Sequence, residues 1–223
     1  RGQNVGCFQA YLDALEYLRD SWSGASYFAI VDNDIDVEAN WLDTLMRAYT
    51  RAETMWPQDK ILLSGFNPTN SHQNTQHTVH ADIHERCTVG AVCYFFSAAC
   101  IPDIYRGWQD QEDFGVNALF HAAGSHRMCG LNAGVVNHVG ARGLHSTLQN
   151  YDKDALFEER NHQRLPPGSW RSSAAGARML PGGVLRARLR RVNGKYEDIR
   201  ARVAPGRAYG NADGRLVEEE EGG

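Results

Sequence analysis

The chain predicts an α/β fold, and three observations in its 223 residues predict it. Short apolar runs of strand length alternate with amphipathic stretches of helix length. The first such run ends on a cluster of acids, at the edge where open α/β sheets bind their ligands. After Pro166 the apolar periodicity stops and Gly, Arg and Ala dominate. These imply a folded body over residues 1–165 and a Gly/Arg-rich tail over residues 166–223, largely disordered unless it docks.

Residues 4–19 read as an amphipathic helix, because Phe8, Tyr11, Leu12, Leu15 and Leu18 recur at helical spacing. A chain that reaches a helix this early reads as beginning mid-fold. Tyr27-Phe28-Ala29-Ile30-Val31 is long enough for a buried strand and too short for a helix. A second helix is expected over residues 38–53, with Trp41, Leu42, Leu45, Met46 and Tyr49 on one face and Pro57 limiting its extension. Ile61-Leu62-Leu63-Ser64-Gly65 reads as a strand, residues 66–86 as a long polar loop, and residues 89–96 as another strand. Asp110-Gln111-Glu112-Asp113 open a third helix that runs to about residue 121 and closes at Gly124. Gly134-Val135-Val136-Asn137-His138 supplies a last short strand.

A content of 42% hydrophobic and 22% charged residues suits a soluble, enzyme-sized domain. No run approaches the roughly 18 uninterrupted apolar residues of a membrane-spanning helix, and no export signal opens the chain. Five scattered cysteines without a CxxC pair point to reduced thiols and a cytoplasmic setting. Residues 1–165 carry 12 Lys and Arg against 20 Asp and Glu. An acidic body disfavours a nucleic-acid partner and suits a site that recruits a cation.

Asp32, Asn33 and Asp34 follow the first strand directly. Two carboxylates with open coordination positions suit Mg²⁺ or Mn²⁺ shared with a diphosphate. Capping of the following helix is the plainer reading of the same residues. A Ca²⁺ loop would use Asp32, Asp34, Asp36 and Asp43, but Val37 stands where that loop needs glycine.

The run Tyr27-Phe28-Ala29-Ile30-Val31-Asp32-Asn33-Asp34, with Trp41-Leu42 after it, resembles the DxD region of nucleotide-sugar glycosyltransferases of the GT-A fold, family-2-like. Later landmarks follow in that family's order. Asn4-Val5-Gly6 resembles the segment before the DxD strand, Gly90-Ala91-Val92-Cys93-Tyr94-Phe95 the acceptor-side strand, Trp108-Gln109-Asp110-Gln111-Glu112-Asp113-Phe114-Gly115 the ED-containing loop and helix, and Val136-Asn137-His138 the strand ending in histidine. The resemblance covers residues 4–146 and implies a GT-A-like mixed sheet that lacks its first strand and the nucleotide-base pocket.

It further implies a nucleoside diphosphate sugar as donor and a sugar or other hydroxyl as acceptor. Asp34 with Asp32 would hold Mn²⁺ or Mg²⁺, and Asn33 would lie against the donor. Asp113 would be the general base and Glu112 would position the acceptor or support the loop, in a single displacement that inverts the anomeric centre. Capping alone also selects acids at residues 110–113. His138, at a strand end, would complete the metal shell or hydrogen-bond the diphosphate, with a structural histidine as the alternative. Arg142 and His145 lie in a glycine-punctuated stretch that suits a diphosphate clamp, Arg142 through its planar fork; a solvated loop charge is the alternative for Arg142. The QxxRW signature of processive synthases is absent, which disfavours long-polymer synthesis.

Two rivals stand beside this reading. One is a sugar- or nucleotide-binding module of the same fold without turnover. The other is a zinc-dependent hydrolase built on His72, His77, His80, His84 and Cys87, whose spacing matches no zinc motif. The basic stretch Arg186-Ala187-Arg188-Leu189-Arg190-Arg191 reads as part of a solvated tail, with contact to an anionic membrane or nucleic acid as its alternatives.

Overall fold

The computed structural model describes residues 6–21, 24–67, 77–138, 157, 160, 163–180 and 182–219. The chain divides into two compact units, Arg1–Phe157 and Glu158–Gly223.

The first unit is a mixed α/β structure. Helices α1 (Gly6–Ser21), α2 (Trp41–Met55) and α3 (Ile101–Ala122) flank strands β1 (Tyr27–Val31), β3 (Lys60–Ser64), β4 (His77–His80), β5 (Ile83–Glu85), β6 (Cys93–Ser97) and β7 (His126–Leu131). These strands form one sheet in the order β1-β6-β3-β7-β5-β4. Only the β3–β7 pair is parallel, with Leu62 beside Met128; β1 and β5 join the sheet antiparallel, as does β6. A second, two-stranded ladder pairs β2 (Ile35–Val37) with β8 (Val136–His138).

The sheet is apolar on both faces, which is why its strands read as continuous rather than alternating runs. Phe28, Ile30, Leu62, Tyr94, Phe96 and Met128 pack under α1 and α3, against Tyr11, Leu15, Ile104, Val116 and Phe120. The alternate side chains Ile61, Leu63, Cys93, Phe95 and Cys129 pack under α2, against Leu45, Ala48, Tyr49 and Ala52. One helix pair on one face and one helix on the other give three layers. Cys93, Cys100 and Cys129 are buried free thiols, and Cys87 is an exposed one. Among the described residues no helix is long and apolar enough to cross a membrane.

Three expected elements differ. The strand expected over residues 89–96 starts only at Cys93. Upstream, Val89 is held by a side chain instead of a ladder: its N–H donates to Asn117 Oδ1 at 2.8 Å and its carbonyl accepts from Asn117 Nδ2 at 3.0 Å. The long polar loop contains the β4–β5 hairpin, which extends the sheet edge through β5 on β7. Helix α3 begins at Ile101, nine residues before Asp110, because Ile101, Ile104 and Trp108 already form a buried helical stripe behind Pro102.

The acidic cluster marks a break inside α3. Gln111 (φ −145°, ψ 44°) and Glu112 (φ 53°, ψ −135°) leave the helical region, so two half-helices meet at a sharp bend. Gly107 and Gly115 make the bend possible. A Cβ at Gly115 would lie 2.1 Å from the Gly107 carbonyl oxygen, and one at Gly107 would lie 2.6 Å from Val116 Cα. Backbone atoms cannot move aside as a side chain can. Gly115→Ala is therefore expected to destabilise by about 3 kcal/mol, an overpacking cost, read as a lowered midpoint of thermal unfolding. Gly124→Ala, where an added Cβ meets nothing within 4 Å, is the control. Equal midpoints for the two variants would disprove the tight bend.

The second unit corrects two expectations. Where a largely disordered tail was expected, β9 (Ala174–Leu180), β10 (Val184–Arg190) and β11 (Tyr196–Arg202) form an antiparallel sheet, and β12 (Tyr209–Ala212) pairs with β13 (Arg215–Glu218). The boundary also falls before residue 165, since Leu165 is buried in this unit's core with Trp170, Leu185, Ala187, Leu189 and Tyr209. Trp170 is fully buried and donates from Nε1 to the Pro166 carbonyl at 3.1 Å. Alternation along Val184–Arg190 puts Leu185, Ala187 and Leu189 inside and the arginines outside. Asp213-Gly214, both at positive φ (48° and 87°), make the tight turn between β12 and β13.

Candidate functional site

The site is assembled where β1 runs out. Asp32 N–H donates to the Val92 carbonyl at 3.1 Å, one bond past the strand, and the chain then turns through Asn33 and Asp34 into β2. Strand β2 pairs with β8 so that Ile35 lies opposite His138. That register brings His138 Nε2 within 3.2 Å of Asp34 Oδ1. Strand β8 reaches this position because Val135 and Val136 donate to the Gly65 carbonyl at 2.9 and 3.1 Å, over a glycine whose Cβ would sit 2.8 Å from Cys93 Sγ.

Among the described residues, Asp32, Asp34 and His138 are the group of three whose ligand atoms all lie within 4.8 Å of one another. Each is half-buried. Burial pushes the Asp32 carboxyl above the usual aspartate range, His138 opposes that shift, and the charges of Asp34 and Asp113 add to it.

Asp113 begins the second half of α3, directly after the positive-φ Glu112. Burial raises its pKa, backbone N–H groups of Phe114, Asp113 and Ala91 pull it back, and the Glu112 charge adds to the rise. The net direction is upward, although a helix N-terminus by itself lowers a carboxyl's pKa. Phe114 is 74% exposed and so provides little of that burial.

The Ala91 peptide connects the two acidic positions. Its N–H bonds the Asp113 carboxylate, and its carbonyl accepts the Tyr11 hydroxyl, which also lies 3.4 Å from Asp32 Oδ1. Tyr11 is held by stacking on Trp108, with ring centroids 4.1 Å apart, and Trp108 donates to the Phe8 carbonyl at 3.1 Å. The buried Tyr94 hydroxyl has its pKa raised by burial and then by both Asp113 and Asp32. The carboxylates of β1 and α3 thus act on one shared region.

The other sequence candidates that the structure describes fall outside this cluster. Asn33 is exposed on the turn and Glu112 is exposed on the α3 bend. Arg142 and His145 lie outside the described residues, as do His72 and the His77 side chain. His84 is buried with both ring nitrogens engaged, Nδ1 by Asn132 Oδ1 at 2.8 Å and Nε2 by Arg86 Nε, and its pKa falls to about 4 from burial and the Arg86 charge. His80 meets Arg51, and Cys87 is exposed on its own stretch of chain. Among the described residues, His80, His84 and Cys87 form no zinc-like cluster.

Sequence reasoning did not find Tyr11, whose place on an apolar helical stripe marks it only as core. Its hydroxyl was the available signal, since a buried phenol needs a hydrogen-bond partner. No protein-family model matches the chain, and no curated protein sequence matches it.

Proposed function

We propose that this chain is a metal-dependent glycosyltransferase with a GT-A-like fold, transferring a sugar from a nucleoside diphosphate to an acceptor hydroxyl with inversion. The observation that carries the reading is the convergence of Asp32, Asp34 and His138 within 4.8 Å together with a third carboxylate, Asp113, whose charge reaches Asp32.

The donor set fits a divalent cation. Two carboxylate oxygens and one imidazole nitrogen suit Mn²⁺ better than Mg²⁺, which prefers oxygen ligands alone. When bound, such an ion neutralises the charge that gathers on a departing diphosphate. The protein's own residues do the rest. Asp113, with its pKa raised towards the working range, takes the acceptor hydroxyl proton. The acceptor oxygen then bonds the anomeric carbon, and the carbon–oxygen bond to the diphosphate breaks with its electron pair leaving on the diphosphate. The Ala91 N–H fixes the Asp113 carboxylate, and the Tyr11 hydroxyl fixes the neighbouring main chain.

The test is release of nucleoside diphosphate from a panel of nucleotide sugars with Mn²⁺, with Mg²⁺ and with a chelator, across a panel of hydroxyl acceptors. Release is expected with Mn²⁺ and abolished by chelation and by Asp34→Ala. Activity unchanged under both conditions would reject the metal mechanism. Calorimetric binding of nucleotide without transfer to any acceptor would assign the non-catalytic module.

A further inference from the structure

The three-stranded sheet of the second unit has one buried face and one charged face. Strand pairing sets Arg186 opposite Arg200 on one side and opposite Arg178 on the other, so three guanidinium groups stand abreast across β9, β10 and β11. Arg188 and Arg190 continue the row along β10, and Arg202 lies beside Arg200 on β11. Facing partners share one side of a sheet, and Leu185, Ala187 and Leu189 occupy the opposite, buried side. Six arginines and a single acid, Asp198 opposite Arg188, therefore share a face about 20 Å long and about 10 Å wide.

Like charges directly opposite each other weaken a sheet. Their effect is visible at Arg178, whose pKa is lowered by burial and by the charges of Arg186 and Arg200. Arg186, Arg190, Arg200 and Arg202 are exposed, and no ion pair neutralises them among the described residues. Two other arginines of the unit are paired: Arg191 with Glu197 and Asp213, and Arg207 with Glu218. The charged face is thus open to an external anion.

The rim of the face narrows the choice of partner. At the end where β10 turns into β11, Tyr196 lies opposite Arg190 on the charged side, with the Arg188 guanidinium 5.7 Å from its ring centroid. The turn beyond it carries Val192, 94% exposed, with Lys195 three residues on. An apolar tip, an aromatic ring at its base and cationic groups behind are the order in which side chains meet a lipid interface. Nucleic-acid-binding sheets instead spread several aromatic rings for base stacking, and Tyr196 is the one aromatic side chain on this face among the described residues. The charge is also spread in two dimensions, matching a plane of headgroups.

We infer that the arginine face of β9, β10 and β11, with the Val192 turn at its rim, docks on an anionic lipid surface. This stands apart from the chemistry proposed for the first unit, because no residue of that site takes part and the binding is measured without substrate.

Flotation of the full chain with phosphatidylcholine vesicles containing about 30% phosphatidylserine tests it, against vesicles of phosphatidylcholine alone. Binding is expected to the anionic vesicles only, and to fall as salt rises from about 0.1 M to about 0.5 M. At roughly fivefold per basic residue, Arg186→Gln, Arg188→Gln and Arg200→Gln together lower partitioning by about 100-fold. Arg19→Gln, Arg47→Gln and Arg106→Gln remove the same charge from the first unit and leave partitioning unchanged. Circular dichroism checks that both triple variants remain folded. Val192→Trp is expected to shift its emission to the blue on anionic vesicles. Equal binding to neutral vesicles, equal loss in the two triple variants, an unmoved Val192→Trp emission, or tighter binding to an oligonucleotide at the same salt would each overturn the inference.

Discussion

Asp113→Asn is expected to lower the turnover number for sugar transfer by about 10²- to 10⁴-fold, the range general-base assistance supplies, with donor affinity unchanged. Thermal stability moves the other way or stays level. The Asp113 carboxyl has its pKa raised in the folded protein, chiefly by burial, so the fold disfavours its charge. A group of that kind contributes stability below its unfolded pKa and loses it as pH rises through the folded value. Above the folded pKa the penalty is in force, and a neutral amide removes it. For the same reason, under the proposed reaction, the acid limb of the activity profile should lie above the usual aspartate range in the native protein and vanish in the variant. A variant that loses stability and activity together would mark Asp113 as structural, in keeping with the backbone N–H groups it accepts from Phe114 and Ala91.

Asp32→Asn is expected to separate stability from metal binding. Burial and the charges of Asp34 and Asp113 raise the Asp32 pKa against the counter-effect of His138, so the charged site is strained without a cation. The metal-free variant should therefore unfold at the same temperature as the native protein or a higher one. Mn²⁺ at about 100-fold over its Kd should stabilise the native chain by about 2.7 kcal/mol, or roughly 5–10 °C at this domain size. That shift should be lost in Asp32→Asn together with transfer. The measurement is a thermal melt of both proteins with Mn²⁺ and with chelator. An Mn²⁺ shift of equal size in both would remove Asp32 from the metal site.

Much of the first unit could be read from the chain because its strands are buried on both faces and its helices carry one-sided apolar stripes. Asp32 and Asp34 were found by position, at the end of the run Tyr27–Val31. Their meeting with His138 depends on the β2–β8 register, which pairs three residues on each side and is too short for any periodicity to reveal. The α3 bend was hidden for another reason: a run of acids reads as a helix start, and neither the non-helical Gln111 and Glu112 nor the packing of Gly107 on Gly115 leaves a mark in the sequence pattern.

The second unit was misjudged through composition. Its arginines and glycines look like a disordered tail, yet Asn193-Gly194 and Asp213-Gly214 are hairpin turn signals, and Val184 to Arg190 alternates as a half-buried strand does. Patterning outweighed bulk polarity, since Trp170 and three inward side chains of β10 suffice to cover one side of a small sheet.

Asp34 and His138 stand 104 positions apart along the chain. A cation gripping both would act as a tether across that span, trimming the freedom of the unfolded polymer, a gain that grows only slowly with the length enclosed. Under the proposed metal role, withdrawing the cation would both stop transfer and loosen the fold.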